Sequence, residues 1–213
     1  MKVITPLFKV RPLARIIRRL VTFTGTLSVS LLSCMPIAAE SAEYAAISVG
    51  ENDLLSLESG DRVQVTGSAN NLCGICNNTG AINSQLNLAN DVTINVNGPV
   101  AGGIMLKGNN AQLDANRLNV NVTGHYGIEA DAQQARLNLG SGSRIEVNNN
   151  TLISYGIYLS NQSLLSADAL TIINNGAGTG LYITDAATQA DIGTDSVIQT
   201  QGAQSAGVYI FWP

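Results

Sequence analysis

Beyond its first 39 residues the chain offers few side chains that could do chemistry: one close cysteine pair, one histidine, a loose set of acids and a spaced set of tyrosines. The pair is Cys73-Gly74-Ile75-Cys76. In a reducing compartment Cys-x-x-Cys suggests thiol redox catalysis or half of a zinc site, whereas in an exported chain it suggests a disulfide. No second pair completes a zinc site, so a disulfide is the expected role, with free thiols or a redox or metal function as the alternatives. His125, in Thr123-Gly124-His125-Tyr126-Gly127, could serve a hydrolase triad as its base. Its glycine flanks read instead as a corner, and a solvated turn residue is expected. Asp185, Asp191 and Asp195 are the best acid cluster. Glycoside hydrolysis needs two neighbouring carboxylates, but these acids fall mostly in turn-like segments. Tyr158, Tyr182 and Tyr209 recur at one position of a repeat. No catalytic, cofactor-binding or metal-binding residue is assigned.

The repeat must position all of these. Gly74-Ile75, Gly103-Ile104, Gly127-Ile128, Gly156-Ile157, Gly180-Leu181 and Gly207-Val208 each open a short apolar run, and Ala46-Ile47 is a weaker first copy. Successive branched residues lie 24 to 29 positions apart, a period typical of chains that stack one structural unit on the next. Each unit holds two further runs. One is Leu86-Asn87-Leu88, Leu113, Leu137-Asn138-Leu139, Leu164-Leu165 and Ile192. The other is Val63-Gln64-Val65, Ile94-Asn95-Val96, Val120-Asn121-Val122, Ile145-Glu146-Val147, Leu170-Thr171-Ile172 and Val197-Ile198. Alternation puts their branched residues on one face and their polar residues on the other.

A turn signal follows the last run of each unit: Thr66-Gly67, Asn97-Gly98, Thr123-Gly124, Asn148-Asn149, Asn174-Asn175-Gly176 and Gln201-Gly202. Gly and Asn tolerate left-handed backbone, which such a corner is expected to use. Three strands and three corners close one triangular coil. A single coil cannot offset its own chain entropy, so coils must stack and share a core. The predicted fold is all-β: a right-handed, single-stranded parallel β-helix of the pectin-lyase-like kind, with about six to seven coils, open at its C-terminal end. Strand parity then points Tyr158, Tyr182 and Tyr209 outward as a column. Such a column either stiffens the face by ring stacking or forms a contact strip for carbohydrate or another chain. Asn77, Asn121, Asn150 and Asn161 each open an Asn-x-Ser/Thr triplet and read as turn and strand residues, not as glycosylation sites.

The first 19 residues carry Lys2, Lys9, Arg11, Arg15, Arg18, Arg19 and no acid, and Leu20 to Ala39 carries no charge. This reads as a secretory signal peptide over residues 1–39, with the β-helix over 40–213. An uncleaved anchor and lipidation at Cys34 are the alternatives. From Glu40 onward only five cations face all 15 acids, a formal charge of −10. That balance argues against binding nucleic acid, which relies on Lys and Arg to neutralise phosphates.

The Gly-Ile strand starts, the Leu-x-Leu and Val-x-Val runs and the Asn/Gly corners resemble the pertactin-like passenger domains of autotransporters, over roughly Tyr44 to Phe211. The resemblance implies a non-catalytic, adhesin-like surface module acting in adhesion, aggregation or biofilm formation. Its partners would be surface glycans, proteins or further copies of itself. It also implies a C-terminal translocator barrel, and the chain is expected to lack one. The expectation is therefore a truncated passenger fragment without a display function, held in the periplasm where the intact family reaches the outer membrane and cell surface. Contact with a membrane would come only through the missing barrel or an uncleaved leader. A polysaccharide-degrading enzyme of pectate-lyase-like architecture is the second expectation.

Overall fold

A computed structural model describes residues 41–69, 72–149 and 153–212; the leader, Cys34 and Asn150 lie outside them. The described residues form three parallel sheets of seven, seven and six strands, and each strand pairs with strands one coil away. This is a β-solenoid of about six turns, as the repeat predicts.

The glycine-bearing sheet comprises Ile47–Val49, Leu72–Asn77, Ala101–Leu106, Tyr126–Asp131, Ser154–Ser160, Gly178–Thr184 and Ala206–Phe211. The leucine sheet comprises Leu54–Leu57, Gln85–Leu88, Gln112–Ala115, Arg136–Ser141, Leu164–Asp168 and Gln189–Ile192. The valine sheet comprises Glu43–Tyr44, Arg62–Thr66, Thr93–Asn97, Asn119–Val122, Arg144–Val147, Thr171–Asn174 and Val197–Thr200. Ile75, Ile104, Ile128, Ile157 and Leu181 stack in register and are at most 1 % exposed. They join Leu86, Leu113, Leu137, Ile94, Val120 and Ile145 in one continuous core. On the last strand Val208 and Ile210 continue these columns but are 48 % and 56 % exposed, because that strand pairs on one side only.

The recurring glycine has a steric cause. A Cβ on Gly74 would sit 2.5 Å from Ile94 Cγ2 and 2.7 Å from the carbonyl oxygen of Gly103. Gly103, Gly127, Gly156 and Gly180 are crowded in the same way, each by a branched residue of the valine sheet and by the carbonyl of the next glycine. The sheets meet so closely along this line that any side chain would displace backbone.

Two expectations need correction. The corner between the valine and glycine sheets is not generally left-handed: Gly67, Gly98, Gly124, Gly176 and Gly202 do not have positive φ. Close approach selects glycine there instead, since a Cβ on Gly98 would lie 2.8 Å from the carbonyl oxygen of Gly67. Left-handed residues concentrate at the other two corners. Asn52, Asn83, Asn110, Gln134 and Asp185 mark one, and Asp91, Arg117, Ala169 and Asp195 the other. Asparagine suits such a backbone, and the side chains add a ladder: Asn83 donates to Asn52, and Asn110 to Asn83.

The second correction is one of register. The valine-sheet strand is Thr171–Asn174 rather than Leu170-Thr171-Ile172, with Ile172 on Ile145 and Asn174 on Val147. Asn174 is fully buried and compensated there: its amide donates to the carbonyls of Ser154 and Thr179 while its oxygen accepts from Gly176 N–H and Ser154 Oγ. Likewise Ala190, not Ile192, pairs with Leu165.

Candidate functional site

The outward residues of the glycine-bearing sheet form the richest side-chain cluster. One column runs Cys76, Met105, Glu129, Tyr158, Tyr182 and Tyr209, each in register with the next. Tyr158 and Tyr182 stack with centroids 5.3 Å apart and planes 5° apart; Tyr182 and Tyr209 stack at 5.3 Å and 14°. The spacing follows from adjacent parallel strands, about 4.8 Å apart. Tyr158 and Tyr182 are half-buried, and Tyr209 is exposed.

A second column, which the sequence reading missed, widens this one into a patch. Tyr126 and Tyr155 are in register and stack at 5.5 Å. Tyr155 also meets Tyr158 and Tyr182 edge-on at 5.6 and 5.2 Å. Tyr126 and Tyr155 open the run one residue before each Gly-Ile pair, so the signal was present but weak. Beside Tyr155 and Tyr182 lies a shallow groove of about 350 Å³, further lined by Tyr209, Ile153, Thr179 and Gln204.

His125 joins the patch instead of standing free in solvent. Its ring lies 4.1 Å from that of Tyr126 and 5.5 Å from that of Tyr155, and burial lowers its pKa. Its corner position is as expected; the solvated setting is not.

Glu129 also escaped the sequence reading. It faces outward by register yet is 4 % exposed, and its Oε1 lies 3.2 Å from Lys107 Nζ. Oε2 is buried without a hydrogen-bond partner. Desolvation raises the carboxyl pKa and Lys107 opposes the rise. Burial, with Glu129 nearby, also pushes the Tyr126 hydroxyl well above its ordinary value.

Cys73 and Cys76 lie on the strand Leu72–Asn77 with their sulfur atoms brought together and their Cα atoms 5.8 Å apart, inside the bridgeable range. The three aspartates do not converge. Asp185 caps a corner, accepting from the backbone N–H groups of Asn161 and Ala187 and from the Thr188 hydroxyl; desolvation pushes its pKa up, but these bonds together outweigh it and hold the pKa low. Asp191 lies exposed in the strand Gln189–Ile192, and Asp195 is an exposed left-handed corner residue. Among the described residues no group of three or more His, Cys, Asp or Glu side chains could hold a metal ion. Of the triplet asparagines, Asn77 is buried and bonded on both sides of its amide, Asn121 donates to Asn95 and Asn161 donates to Asp131.

No family profile and no solved structure matches the chain. In sequence it is 36 % identical over 191 residues to the "Probable autotransporter YcgV" of Escherichia coli strain K12, an alignment covering 86 % of this chain and 18 % of that protein. It is 37 % identical over 191 residues to another protein named YcgV, from Escherichia coli O157:H7, covering 86 % of this chain and 32 % of the relative. The chain thus spans under a third of the length of either relative. Over most of its length the chain is thus similar to a protein named as a probable autotransporter, and its parallel β-solenoid fold is consistent with a passenger domain.

Proposed function

We propose that this chain is an exported, non-catalytic contact module at the bacterial cell envelope or surface, adhering through the tyrosine face of its glycine-bearing sheet. The observation that carries the reading is the stacked column Tyr158–Tyr182–Tyr209, widened by Tyr126 and Tyr155. Aromatic rings are the commonest anchors of binding surfaces, and this rigid sheet holds them in order before any partner arrives. The basic leader and the relatives' autotransporter name support export. In the whole protein an outer-membrane barrel would present the rod outside the cell.

Binding of the purified chain to surface glycans, surface proteins and itself tests the reading, compared with a Tyr158→Ser/Tyr182→Ser/Tyr209→Ser variant. Binding that vanishes in a variant that still melts cooperatively supports it; binding that survives removes the tyrosines from the site. Release of reducing ends from a polysaccharide, lost on Asp191→Ala, would instead establish the enzymatic reading. Cell fractionation with external protease distinguishes a periplasmic chain from a displayed one.

A further inference from the structure

The sequence holds two Asn-Gly steps, Asn97-Gly98 and Asn175-Gly176, and the solenoid surrounds them differently. Asn97 ends the valine-sheet strand Thr93–Asn97 with an exposed side chain, and Gly98 is buried at the corner that follows. One coil on, the Thr123 hydroxyl bridges the two. Gly98 N–H donates to Thr123 Oγ1 at 3.0 Å, and Thr123 Oγ1 donates to Asn97 Oδ1 at 2.7 Å. Backbone bonds hold both partners in place: Thr123 N–H donates to the Val96 carbonyl at 3.0 Å, and the Asn97 carbonyl accepts from Gly67 N–H at 3.1 Å. Asn175 has a different setting. Its Nδ2 donates to Asn148 Oδ1, its own Oδ1 is buried without a hydrogen-bond partner, and Gly176 N–H donates to Asn174 Oδ1.

A backbone amide nitrogen is a weak nucleophile and a carboxamide a weak electrophile. Joining them calls for a proton acceptor on the first and a proton donor on the second. Thr123 Oγ1 is placed to be both. We propose that Asn97-Gly98 is a self-modifying site, at which the Thr123 hydroxyl relays a proton while a succinimide closes. Gly98 N bonds to Asn97 Cγ as its proton passes to Thr123 Oγ1, whose own proton passes to Asn97 Oδ1. The Cγ–Nδ2 bond of this tetrahedral intermediate then breaks, the Cγ carbonyl re-forms, and the Oδ1 proton leaves with the amide as ammonia. Water opens the ring at either carbonyl, giving aspartate or isoaspartate. The missing side chain at Gly98 leaves the attacking nitrogen unhindered, and the exposed Asn97 side chain lets ammonia out and water in. Either product places a new carboxylate at this corner. The inference is independent of the adhesive reading above.

The test is incubation of the folded full chain at neutral pH, with peptide mapping by mass spectrometry to follow amide-to-acid conversion at both steps. A urea-unfolded sample gives the rate of each step without the fold, and there the two should be similar. In the folded chain Asn97 is expected to convert while Asn175 keeps its amide. Thr123→Val, which keeps the shape and removes the hydroxyl, should slow Asn97 about 100-fold, the lower end of what a positioned proton-transfer group contributes. Thr123→Ser restores the relay and should convert within about threefold of the parent. Melting confirms that each variant folds. Conversion in folded Thr123→Val as fast as in the parent, or faster, would overturn the relay and show that the hydroxyl only pins the corner. An Asn97 that stays intact in the folded parent, or converts no faster than Asn175, would overturn the site itself.

Discussion

Tyr158 and Tyr182 sit one coil apart in exact register, their rings parallel to within 5° and their centroids 5.3 Å apart. Such a pair both stiffens the sheet and offers a surface, and the two roles separate by position. Tyr182 contacts Tyr155, Tyr158 and Tyr209, whereas Tyr209 stacks on Tyr182 alone among the described residues. Tyr182→Ser should therefore cost about 1–2 kcal/mol and Tyr209→Ser less than about 1 kcal/mol, on the scale of cross-strand aromatic pairs. Chemical denaturation checks this. Equal costs would show that stacking contributes little to stability.

The glycine column makes a sharper forecast. Gly127→Ala would drive a Cβ into Ile145 and the carbonyl of Gly156, while a Cβ on Gly207 meets nothing closer than Ile198 Cγ2 at 3.9 Å. The first should destabilise by about 3 kcal/mol or more, as overpacking against backbone does. Gly207→Ala should lie within about 0.5 kcal/mol of the parent. Melting of the two variants side by side decides the matter.

Glu129 sets a pH dependence. Its folded pKa is raised, first by desolvation, so the folded state holds this proton more tightly than the unfolded chain does. Its contribution to stability is then greatest below the ordinary glutamate value of 4.5 and declines as pH rises through the higher folded value. Glu129→Gln removes that dependence. The stability of the variant relative to the parent should rise with pH above 4.5 and then level off. Urea titrations from pH 4 to pH 8 measure the difference; a constant gap would refute the assignment.

The cysteine pair predicts a labelling pattern. In a Cys34→Ser background the exported protein should take up no alkylating reagent until reduced, and two equivalents afterwards. Reduction should shift the melting temperature little, because a bridge across two intervening residues closes very little chain. Labelling without reductant would show free thiols.

Asn77 carries a fifth expectation. Its amide donates to the Ala81 carbonyl at 2.8 Å and to Ser84 Oγ at 2.7 Å, and its oxygen accepts from Gly108 N–H at 2.6 Å, one coil on. Asn77→Ala strands three buried partners and should cost about 2–4 kcal/mol, since each unpaired buried group costs about 1–3 kcal/mol. Asn121→Ala, on the partly exposed Asn95 ladder, should cost under about 1 kcal/mol.

The sequence by itself determined the coil: which aliphatic residues point inward, how many units stack, and that the surface is acidic. These are local properties, because a strand's two-residue alternation is written along the chain and repeats with each unit. What stands beside what was decided by the tertiary structure. Coil lengths vary, so the residue above Tyr126 becomes Tyr155 only after the corners between them close. The same closure buries Glu129 on a face that strand parity assigns to solvent and seats Asn174 in a valine position. It also makes the glycine that opens each apolar run a steric necessity, since the crowding comes from a branched side chain and a carbonyl far away in sequence.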